Sequence, residues 1–397
     1  MSTLGSESWL DAGNYGEDHI QHTRVKDFIA KINWTALLAI ACRARSGISC
    51  KLSEKYSRGQ YNVVRKLEYE DGVDLVARLR LPDVEETENL ELLGAEKTME
   101  VEIATMAYLK KHTSIPVPEV FAHDLDPNNQ IGAPYILMSY IHGTSAAELS
   151  DAKDYDLKGD EQFWSRMAEI QMELASLKFN QIGCIYQHGD AFSIGPEVVT
   201  GRGPWATAEQ FWYDLATHFF EVTKATCDES IKSKESFHLP QKFSELMKLY
   251  GEPGQKQFRL ANRDSGIHNV LVNDDFEIVG LIDLDGVMAA PVEMVARLPR
   301  FSGFDRPMPY FEEIEKRPMA LKFAREDVAE VEKYIGRLQK AGEKLSRSND
   351  GLSEVASAFA SKGASVVDGL HAYHQHQDFV NDNWWAAYQK LLQDRKH

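Results

Sequence analysis

The chain has 397 residues, of which 43% are hydrophobic and 10% aromatic, so it can form one large core or two modest ones and is not an intrinsically disordered chain. The formal net charge is −17 and the pI is near 5.3. This balance argues against nucleic acid or an anionic membrane as partners, because both select for clustered lysine and arginine.

The pattern of residues 25–140 predicts a small β-rich lobe. A loosely ordered N-terminal arm over residues 1–24 is expected to lead into a helix over 25–45, where apolar residues recur with helical spacing. A second helix is expected over Glu96–Lys111. The strand-like runs are Lys51–Tyr56, Tyr61–Tyr69, Leu75–Leu81, Val117–His123 and Pro134–Tyr140.

Residues 141–397 have a different texture and predict a large, mainly helical lobe. Helical patterns dominate residues 145–255 and return from Glu312 to the end, with a break near Ser346–Gly351. Between these stretches, a compact hairpin is expected over Val270–Ile282. The predicted fold class is therefore α+β, with a β-rich lobe followed by a helical one.

Cysteine usage and the N-terminus bear on the compartment. The four cysteines are scattered and none forms a C-x-x-C pair, which favours a reducing compartment over a zinc site or a disulfide framework. Residues 1–18 are polar and acidic, unlike a secretory signal, and the uncharged run Ile32–Cys42 is too short to span a bilayer. We therefore expect a soluble protein of the cytoplasm.

The polar residues of segment 262–286 hold the most chemical information. Asp264 and Asn269 are five positions apart in a loop, and the returning strand of the following hairpin ends at Asp283. Because the open ends of a hairpin lie side by side, the side-chain oxygens of Asn269 and Asp283 can converge. Such oxygens suit magnesium, which keeps waters and phosphate oxygens as its other ligands. Asp264 can orient or deprotonate a substrate hydroxyl for attack on a γ-phosphate.

This segment resembles the D-x-x-x-x-N catalytic loop and the metal-binding aspartate of the aminoglycoside phosphotransferase and choline kinase group, within the protein-kinase-like superfamily. It is especially similar to a fungal branch of phosphotransferase-like proteins. The similarity covers about residues 25–300 and includes Thr113–Pro118, Gly132–Met138 and Gly203–Glu209. It implies a protein-kinase-like two-lobe fold with an active site in the cleft, ATP and magnesium as cofactors, and a small-molecule hydroxyl as phosphoryl acceptor. In this scheme residues 25–140 bind the nucleotide and residues 141–397 carry the catalytic loop 262–286.

Two charged residues of the first lobe offer a second check. By the resemblance, Arg78 takes the place of the strand lysine that contacts ATP phosphates. Glu102 lies within an apolar stripe of the next helix, where a carboxylate needs a partner, and Arg78 is the expected one. The alternative is a surface pair with no functional consequence.

Two further segments are expected to contact the nucleotide, again by the resemblance. The loop 57–62, with a single glycine, takes the place of a phosphate-covering loop, although a plain hairpin has the same pattern. The segment 138–141 takes the place of the hinge whose backbone hydrogen-bonds adenine. The residues expected to bind the nucleotide are Ser57, Gly59, Asn62, Arg78, Glu102, Met138, Ser139, Tyr140 and Ile141.

The sequence departs from the family pattern next to the catalytic loop. Asn262 stands where a histidine is usual, Ser265 where Leu or Phe is common, and Leu284 where an aromatic residue is usual. Because the missing histidine is an orienting group, two alternatives stay open. One is a catalytically inactive protein that binds a nucleotide or a natural product. The other is a repurposed site for nucleotidyl transfer or for non-phosphoryl chemistry.

The acceptor is expected to be a small molecule and not a protein. Asp283 is followed at once by the short, apolar segment Gly286–Pro291, which leaves little room for the peptide-docking segment of protein kinases. The acidic residues within 148–161 fit an amine-bearing or otherwise cationic acceptor, although a solvated acidic face has the same pattern and is the preferred interpretation of these residues by themselves. No pattern in the sequence specifies the acceptor itself or the oligomeric state.

Overall fold

The structure is a computed structural model that describes residues 5–11, 16–17, 19–82, 94–345, 351–375 and 382–394. The chain divides into two compact units. The first consists of Met1–Asp151 and His268–Asp285, and the second of Ala152–Ile267 and Gly286–His397. None of the helices within the described ranges is long and apolar enough to cross a membrane.

The first unit contains the helices and strands that the sequence analysis predicts, together with one two-residue strand that it does not predict. In chain order they are α1 (Ile20–Lys31), α2 (Trp34–Ala44), β1 (Cys50–Arg58), β2 (Asn62–Tyr69), β3 (Asp74–Arg80), α3 (Ala95–His112), β4 (Val120–Asp124), β5 (Tyr135–Ser139), β6 (Thr144–Ser145) and α4 (Ala146–Lys153). The helix predicted over 25–45 is divided at Asn33, whose side chain accepts the Ala36 N–H at 3.1 Å and so caps α2. Strands β1 to β5 form one antiparallel sheet in the order β1-β2-β3-β5-β4.

Strand β3 is the central strand of this sheet and explains where charged residues become buried. Leu75, Ala77 and Leu79 point to one face, where they pack in the same core as Val25 and Leu37 of the two N-terminal helices. Alternation sends Arg78 and Arg80 to the other face, and both are buried there as well. A charged residue at such a position requires a partner.

The second unit contains a sheet that the sequence analysis did not predict. It has the order β7-β10-β13-β8-β9, within a segment otherwise predicted as mainly helical. Its strands are β7 (Lys178–Phe179), β8 (Gly183–His188), β9 (Ala191–Gly195), β10 (Phe258–Asn262) and β13 (Val287–Ala290). These strands have two to six residues, too few for a clear alternating pattern, and their pairing is largely non-local.

Helices make up most of the rest of the second unit, in agreement with the predicted mainly helical region. They are α5 (Glu161–Ser176), α6 (Ala208–Thr226), α7 (Glu229–Lys232), α8 (Leu239–Tyr250), α9 (Val292–Val295), α10 (Phe311–Ile314), α11 (Pro318–Leu345), α12 (Leu352–Ala358), α13 (Lys362–Gln375) and α14 (Asp382–Gln393). The long helix α11 packs on α5, and the Tyr334 hydroxyl donates to Gln171 at 2.8 Å. The predicted break near Ser346–Gly351 lies mainly outside the described residues.

The predicted hairpin over Val270–Ile282 is present as β11 (Val270–Val272) and β12 (Ile278–Leu281). Asn273 shapes its turn, since the side-chain oxygen accepts the N–H groups of Asp275 at 3.0 Å and Glu277 at 2.9 Å. Strand β11 also pairs with β6, which attaches the hairpin to the first unit. The division into lobes 25–140 and 141–397 stays a prediction. The compact units differ from it because the hairpin segment His268–Asp285 belongs to the first unit.

Candidate active site

A pocket of about 420 Å³ lies on the first unit. It gathers almost all the site residues that the sequence analysis singled out, although they are spread over more than 200 positions of the chain. Those that line it are Ser57, Gly59, Asn62, Arg78, Met138, Ser139, Tyr140, Ile141, Asn269 and Asp283. Two predicted residues are placed elsewhere. Glu102 is buried and paired with Arg78, and Asp264 belongs to the second unit.

Arg78 is the centre of the charge network in this pocket. Its guanidinium forms the predicted ion pair with Glu102, which is only 2% exposed. It also donates through Nη2 to Asp283 Oδ1 at 2.7 Å. Burial alone would lower the pKa of Arg78, but the carboxylates of Glu102, Asp283 and Asp285 outweigh it and raise the pKa. Arg78 is therefore a permanent cation that ties strand β3 to helix α3 and to the end of the hairpin.

Asp283 has an unusual backbone and a side chain that is open to the pocket. Its φ is 58°, in the left-handed region that few non-glycine residues adopt. Its side chain remains 42% exposed although Arg78 holds one oxygen. Non-glycine residues in this conformation cluster at ligand-binding and catalytic positions, because the surrounding structure must hold them there. Phe276 in the hairpin turn has a similar φ of 61° but is buried, whereas Asp283 lines the pocket.

Asn269 lies at the other end of the same hairpin. It is 7% exposed, and its backbone carbonyl accepts the Ile282 N–H at 3.0 Å, which brings the two hairpin ends together. Asn269 and Asp283 thus supply an amide oxygen and a carboxylate to one pocket, both hard donors of the kind that magnesium prefers. Within the part of the chain that the structure describes, no three His, Cys, Asp or Glu residues could hold a metal by themselves. These donors fit an ion that takes its remaining ligands from phosphate and water.

The β1–β2 turn supplies the loop that was predicted to cover phosphates. The Gly59 N–H donates to the Asn62 carbonyl at 2.8 Å and closes the turn. A side chain built at Gly59 would meet nothing within 4 Å, so the packing of the protein itself does not demand glycine here. Arg58, the last residue of β1 before this turn, also lines the pocket. The sequence analysis does not single out Arg58, because a basic residue beside a turn has the pattern of any exposed residue.

The predicted hinge is already partly hydrogen-bonded within the protein. The Ser139 N–H donates to the Glu119 carbonyl at 2.8 Å, and the Tyr140 N–H to the Asp74 carbonyl at 3.1 Å. A ligand at this segment therefore does not find these two amides free. The next amide along the chain is that of Ile141, which lines the pocket.

Residues 5–11 add a wall to the pocket, at a position where the sequence analysis expected a loosely ordered arm. The Gly5 N–H donates to Thr144 Oγ1 at 2.8 Å. Trp9 packs edge-to-face on Tyr140, with ring centroids 6.3 Å apart, and both Gly5 and Trp9 line the pocket. These contacts join residues more than 130 positions apart, so no local sequence pattern predicts them.

In the second unit, Asp264 is held by two neighbours. Its backbone N–H donates to Asn262 Oδ1 at 3.0 Å, and its Oδ1 accepts from Arg300 Nη1 at 2.7 Å. Asn262 was expected to lack the orienting function of the usual histidine. It does hold the backbone of Asp264, in the manner of an asparagine that caps a turn. Arg300 was not singled out in the sequence analysis, since it lies 36 residues further along.

Arg263, which precedes Asp264, is anchored on both its backbone and its side chain. Its N–H donates to the Gly286 carbonyl at 3.1 Å, and its guanidinium pairs with the fully buried Glu197. Burial alone would raise the pKa of Glu197, but Arg263 and the N–H groups of Thr200 and Val199 lower it. This buried ion pair fixes the chain directly before Asp264. Glu197 lies in a loop 66 residues upstream and has no motif that would reveal it.

Two of the acidic residues within 148–161 have partners of their own, whereas a third lines the pocket of the first unit. Glu148 lines the pocket of the first unit, and burial raises its pKa. Asp160 caps helix α5 by accepting the Phe163 N–H at 2.9 Å. Glu161 pairs with Arg337 of α11. Asp160 and Glu161 are therefore used within the protein, and among these three carboxylates the prediction of a cationic acceptor keeps only Glu148 in its support.

Comparison with known proteins identifies the family. The phosphotransferase enzyme family, abbreviated APH, matches residues 54–294, which is more than half of the chain. The chain belongs to this family. The matched region includes both hairpin ends, Arg78, Glu102 and Asp264, and the predicted family resemblance is confirmed.

The curated relatives are fungal and considerably longer. A subtelomeric hrmA-associated cluster protein of Aspergillus fumigatus is 27% identical over 204 residues, covering 48% of this chain and 36% of that protein. The protein named altered inheritance of mitochondria protein 9, mitochondrial, of Candida albicans is 29% identical over 140 residues, covering 33% of this chain and 21% of that protein. The chain thus spans well under half the length of these relatives.

A solved structure of low sequence identity has a similar fold. It is a crystal structure from Ralstonia eutropha with a provisional assignment as an aminoglycoside phosphotransferase. Its TM-score is 0.52 at 13% identity, and the alignment covers 90% of this chain and 99% of that one. At this identity the likeness shows the fold alone. It confirms the predicted α+β class, with a β-sheet N-terminal region and a mainly helical C-terminal region.

The predicted cytoplasmic location is wrong by the same comparisons. The relatives from several yeasts carry a mitochondrial assignment in their names. The prediction rested on the scattered cysteines and on a polar N-terminus. Cysteine usage separates oxidising from reducing compartments and does not distinguish one reducing compartment from another.

Proposed function

We propose that the protein transfers the γ-phosphoryl group of ATP to a hydroxyl group of a small molecule. The observation that carries the proposal is the chain of ion pairs from Glu102 through Arg78 to Asp283, in a pocket of a phosphotransferase-family protein. A buried guanidinium held between two carboxylates is weak evidence for stability alone. It is well suited to present a fixed positive charge to phosphate oxygens.

The nucleotide is proposed to lie in the pocket of the first unit. Arg78 and Arg58 supply the positive charge for the phosphates, and the turn around Gly59 leaves open space beside them. The segment 138–141 takes the adenine end. This assignment explains why apolar and basic residues from distant parts of the chain line one pocket.

Magnesium is proposed to be held by Asn269 and Asp283. Arg78 contacts Oδ1 of Asp283, which leaves Oδ2 for the metal. When bound, the ion would neutralise charge on the phosphate oxygens and orient them. Because only two protein oxygens are available in this proposal, useful metal affinity requires the nucleotide. ATP should accordingly bind more weakly in the presence of excess chelator than in the presence of magnesium.

Asp264 is proposed to orient the acceptor hydroxyl and to accept its proton. Asn262 holds the backbone of Asp264 and Arg300 holds one carboxylate oxygen, so the group is positioned before the acceptor arrives. A fixed carboxylate of this kind accelerates the reaction by placing the hydroxyl for attack. The neighbouring Arg263–Glu197 pair keeps the loop in place.

Replacement of Asp264 tests the proposal. Asp264→Asn should lower turnover about a hundredfold or more, because it removes a general base or orienting group. The affinity for ATP should stay within a few-fold. Turnover is measured with radiolabelled ATP and a metabolite extract, and ATP affinity by calorimetry. Asp275→Asn, at an exposed carboxylate in the β11–β12 turn, is the matched control and should leave both quantities unchanged.

The outcomes also separate the alternative functions. A product heavier by one phosphoryl group supports the proposal, whereas addition of a nucleotidyl group would show a repurposed site. No gain in mass, combined with intact ATP binding, would indicate an inactive nucleotide-binding protein. An unchanged turnover of Asp264→Asn would contradict the assignment of Asp264, and equal ATP affinity with magnesium and with chelator would contradict the metal assignment.

A further inference from the structure

The second unit has a pocket of its own with an unusual charge composition. Its volume is about 870 Å³, within the range of small-molecule sites. Three arginines line it, although the chain as a whole carries a net charge of −17. The principal residues of the lining are Arg297, Arg300, Arg306, Asp368, His371 and Trp384. The overall negative charge of the chain does not explain why three guanidinium groups lie in one cavity.

Two of the three arginines have carboxylate partners. Arg306 pairs with Asp368 and donates through Nη2 to the Ala296 carbonyl at 2.8 Å. Arg300 donates to Asp264 at 2.7 Å. The charges of Arg306 and Arg300 are therefore largely compensated within the protein. Arg306 also fixes the backbone at Ala296 through its hydrogen bond.

Arg297 differs from both neighbours. Among the described residues, no carboxylate or carbonyl accepts a hydrogen bond from its guanidinium, although Asp368 is near enough to influence it. Burial lowers the pKa of Arg297 to about 10, with Arg300 and Arg263 adding to the effect and Asp368 opposing it. Arg297 is half-buried in the pocket lining, and a partly desolvated guanidinium without a protein acceptor is unfavourable. A bound anion would supply the missing acceptor.

We propose that this pocket binds the phosphoryl acceptor and that the acceptor carries an anionic group, a carboxylate or a phosphate, which pairs with Arg297. The inference rests on the proposed function and deepens it by naming the substrate class. Guanidinium groups bind both anions through two parallel hydrogen bonds. Trp384 and the exposed Phe301 in the pocket lining supply apolar surface for the rest of the molecule.

The pocket is connected to the proposed base through a shared residue. Arg300 lines the pocket and contacts Asp264 within the same unit. In the reaction, the acceptor oxygen forms a bond to the γ-phosphorus and the bond from that phosphorus to the β–γ bridging oxygen breaks. The hydroxyl proton passes to the Asp264 carboxylate, and ADP leaves with the bonding electrons. Arg297 holds the far, anionic end of the acceptor.

A cationic acceptor is disfavoured by the same residues. It would face the guanidinium group of Arg297, whose charge is not compensated by a hydrogen-bonded carboxylate among the described residues, and like charges at an interface reject a ligand effectively. Of the two acidic residues that line the pocket, Asp368 is paired with Arg306. The other, Asp305, is exposed to solvent. Charge selection in this pocket therefore favours anions.

Binding experiments on the full chain without nucleotide test the inference. Inorganic phosphate and glycerol 3-phosphate are the anionic probes, glycerol is the neutral counterpart and choline the cationic one. Calorimetry should show binding of both anions and none of glycerol or choline. Arg297→Gln should weaken anion binding about tenfold to a hundredfold, the scale of a hydrogen bond to a charged group. Arg297→Lys, which keeps the charge, should retain part of the affinity.

Arg317→Gln is the matched control, because Arg317 is 75% exposed and pairs with Glu315 outside the pocket. It should not change anion binding. A second measurement uses the wild-type chain, so its result does not depend on whether the variants fold correctly. Phenylglyoxal labels accessible arginines, and mass spectrometry should show that phosphate protects Arg297 and leaves Arg317 reactive. Equal labelling of Arg297 with and without phosphate, or binding of choline as tight as that of glycerol 3-phosphate, would overturn the inference.

Failure of this inference can be distinguished from failure of the proposed function. Asp283→Ala should remove magnesium-dependent ATP binding and leave phosphate binding in the second unit intact. If the anions bind but no ATP-dependent product forms, the result would contradict the phosphotransferase proposal and would support anion binding in the pocket of the second unit. ATP-dependent phosphorylation of choline or glycerol, with no preference for an anionic acceptor, would contradict the pocket and leave the proposed function standing.

Discussion

Replacement of Glu102 by glutamine tests how strongly the central ion pair stabilises the first unit. The side chain keeps its volume and one acceptor oxygen, so the change removes mainly the charge. Glu102 is 2% exposed and Arg78 is 9% exposed, and removal of one partner of a buried pair typically costs about 3–5 kcal/mol. Arg78 retains Asp283 as a second partner at 2.7 Å. We therefore expect the lower end of the range, a loss of about 3 kcal/mol in the free energy of unfolding.

Urea unfolding of the purified variants provides the measurement. Glu100→Gln is the matched control, because Glu100 lies on the same helix α3 and pairs with Lys97 at 2.8 Å, with side chains 32% and 51% exposed. An exposed pair of this kind contributes about 0.5 kcal/mol or less. The apolar double variant Arg78→Met with Glu102→Leu should recover much of the loss, because it leaves no unpaired buried charge.

Two results would refute this reasoning. If Glu102→Gln is no less stable than Glu100→Gln, the buried pair does not stabilise the unit. If the loss for Arg78→Met with Glu102→Leu equals the sum of the losses of the two single variants, Arg78 and Glu102 are not energetically coupled. In either case Arg78 would need another explanation for its buried position on β3.

Three further predictions concern other contacts of the two units. Trp9→Ala removes the edge-to-face partner of Tyr140 from the pocket and should weaken ATP binding about twofold to tenfold, and an unchanged affinity in calorimetry would separate the N-terminal segment from the nucleotide. Asn262→Ala removes the acceptor of the Asp264 N–H and should lower turnover about twofold to tenfold at constant ATP affinity; a loss of ATP affinity instead would assign Asn262 to nucleotide binding. Burial, with help from nearby cationic side chains, lowers the pKa of His374 to about 4. In the unfolded chain the pKa of a histidine is about 6.5, so as the pH falls the unfolded state binds the proton before the folded state does. The contribution of neutral His374 to the free energy of unfolding is therefore fully present above about pH 6.5 and decreases by about 3 kcal/mol as the pH falls to about 4. His374→Gln should flatten this part of the pH–stability curve, and identical curves for the two proteins would contradict the prediction.

Much of the first unit follows from local patterns. The alternation over Leu75–Leu81 predicts that Arg78 leaves the core face, and the helical spacing of α3 predicts that Glu102 lies in an apolar stripe. Together these two periodicities anticipate the ion pair. The hairpin ends at Asn269 and Asp283 are predictable for a similar reason, because a short turn between two apolar runs determines which residues lie opposite each other.

The sheet of the second unit is not predictable in this way. Strands β7 to β10 and β13 are short. Although β8 and β9 form a local hairpin, the other pairings join segments that are distant in sequence, as when β10 pairs with both β7 and β13. Their residues have little propensity signal of their own, since β-propensity depends strongly on the packing that a strand finds. Only the folded chain decides that these segments are strands.

Charged residues show the same division between local and tertiary information. The sequence by itself determined the residue types and the spacing of Asp264, Asn269 and Asp283, because a catalytic loop and a hairpin are built from consecutive residues. Tertiary structure alone decided that Arg300 contacts Asp264 and that Arg297 lines a pocket without a hydrogen-bonding partner among the described residues. Such pairings require the closure of long loops, and the favourable contacts that compensate the loss of chain entropy come from the whole core and not from the residues that meet.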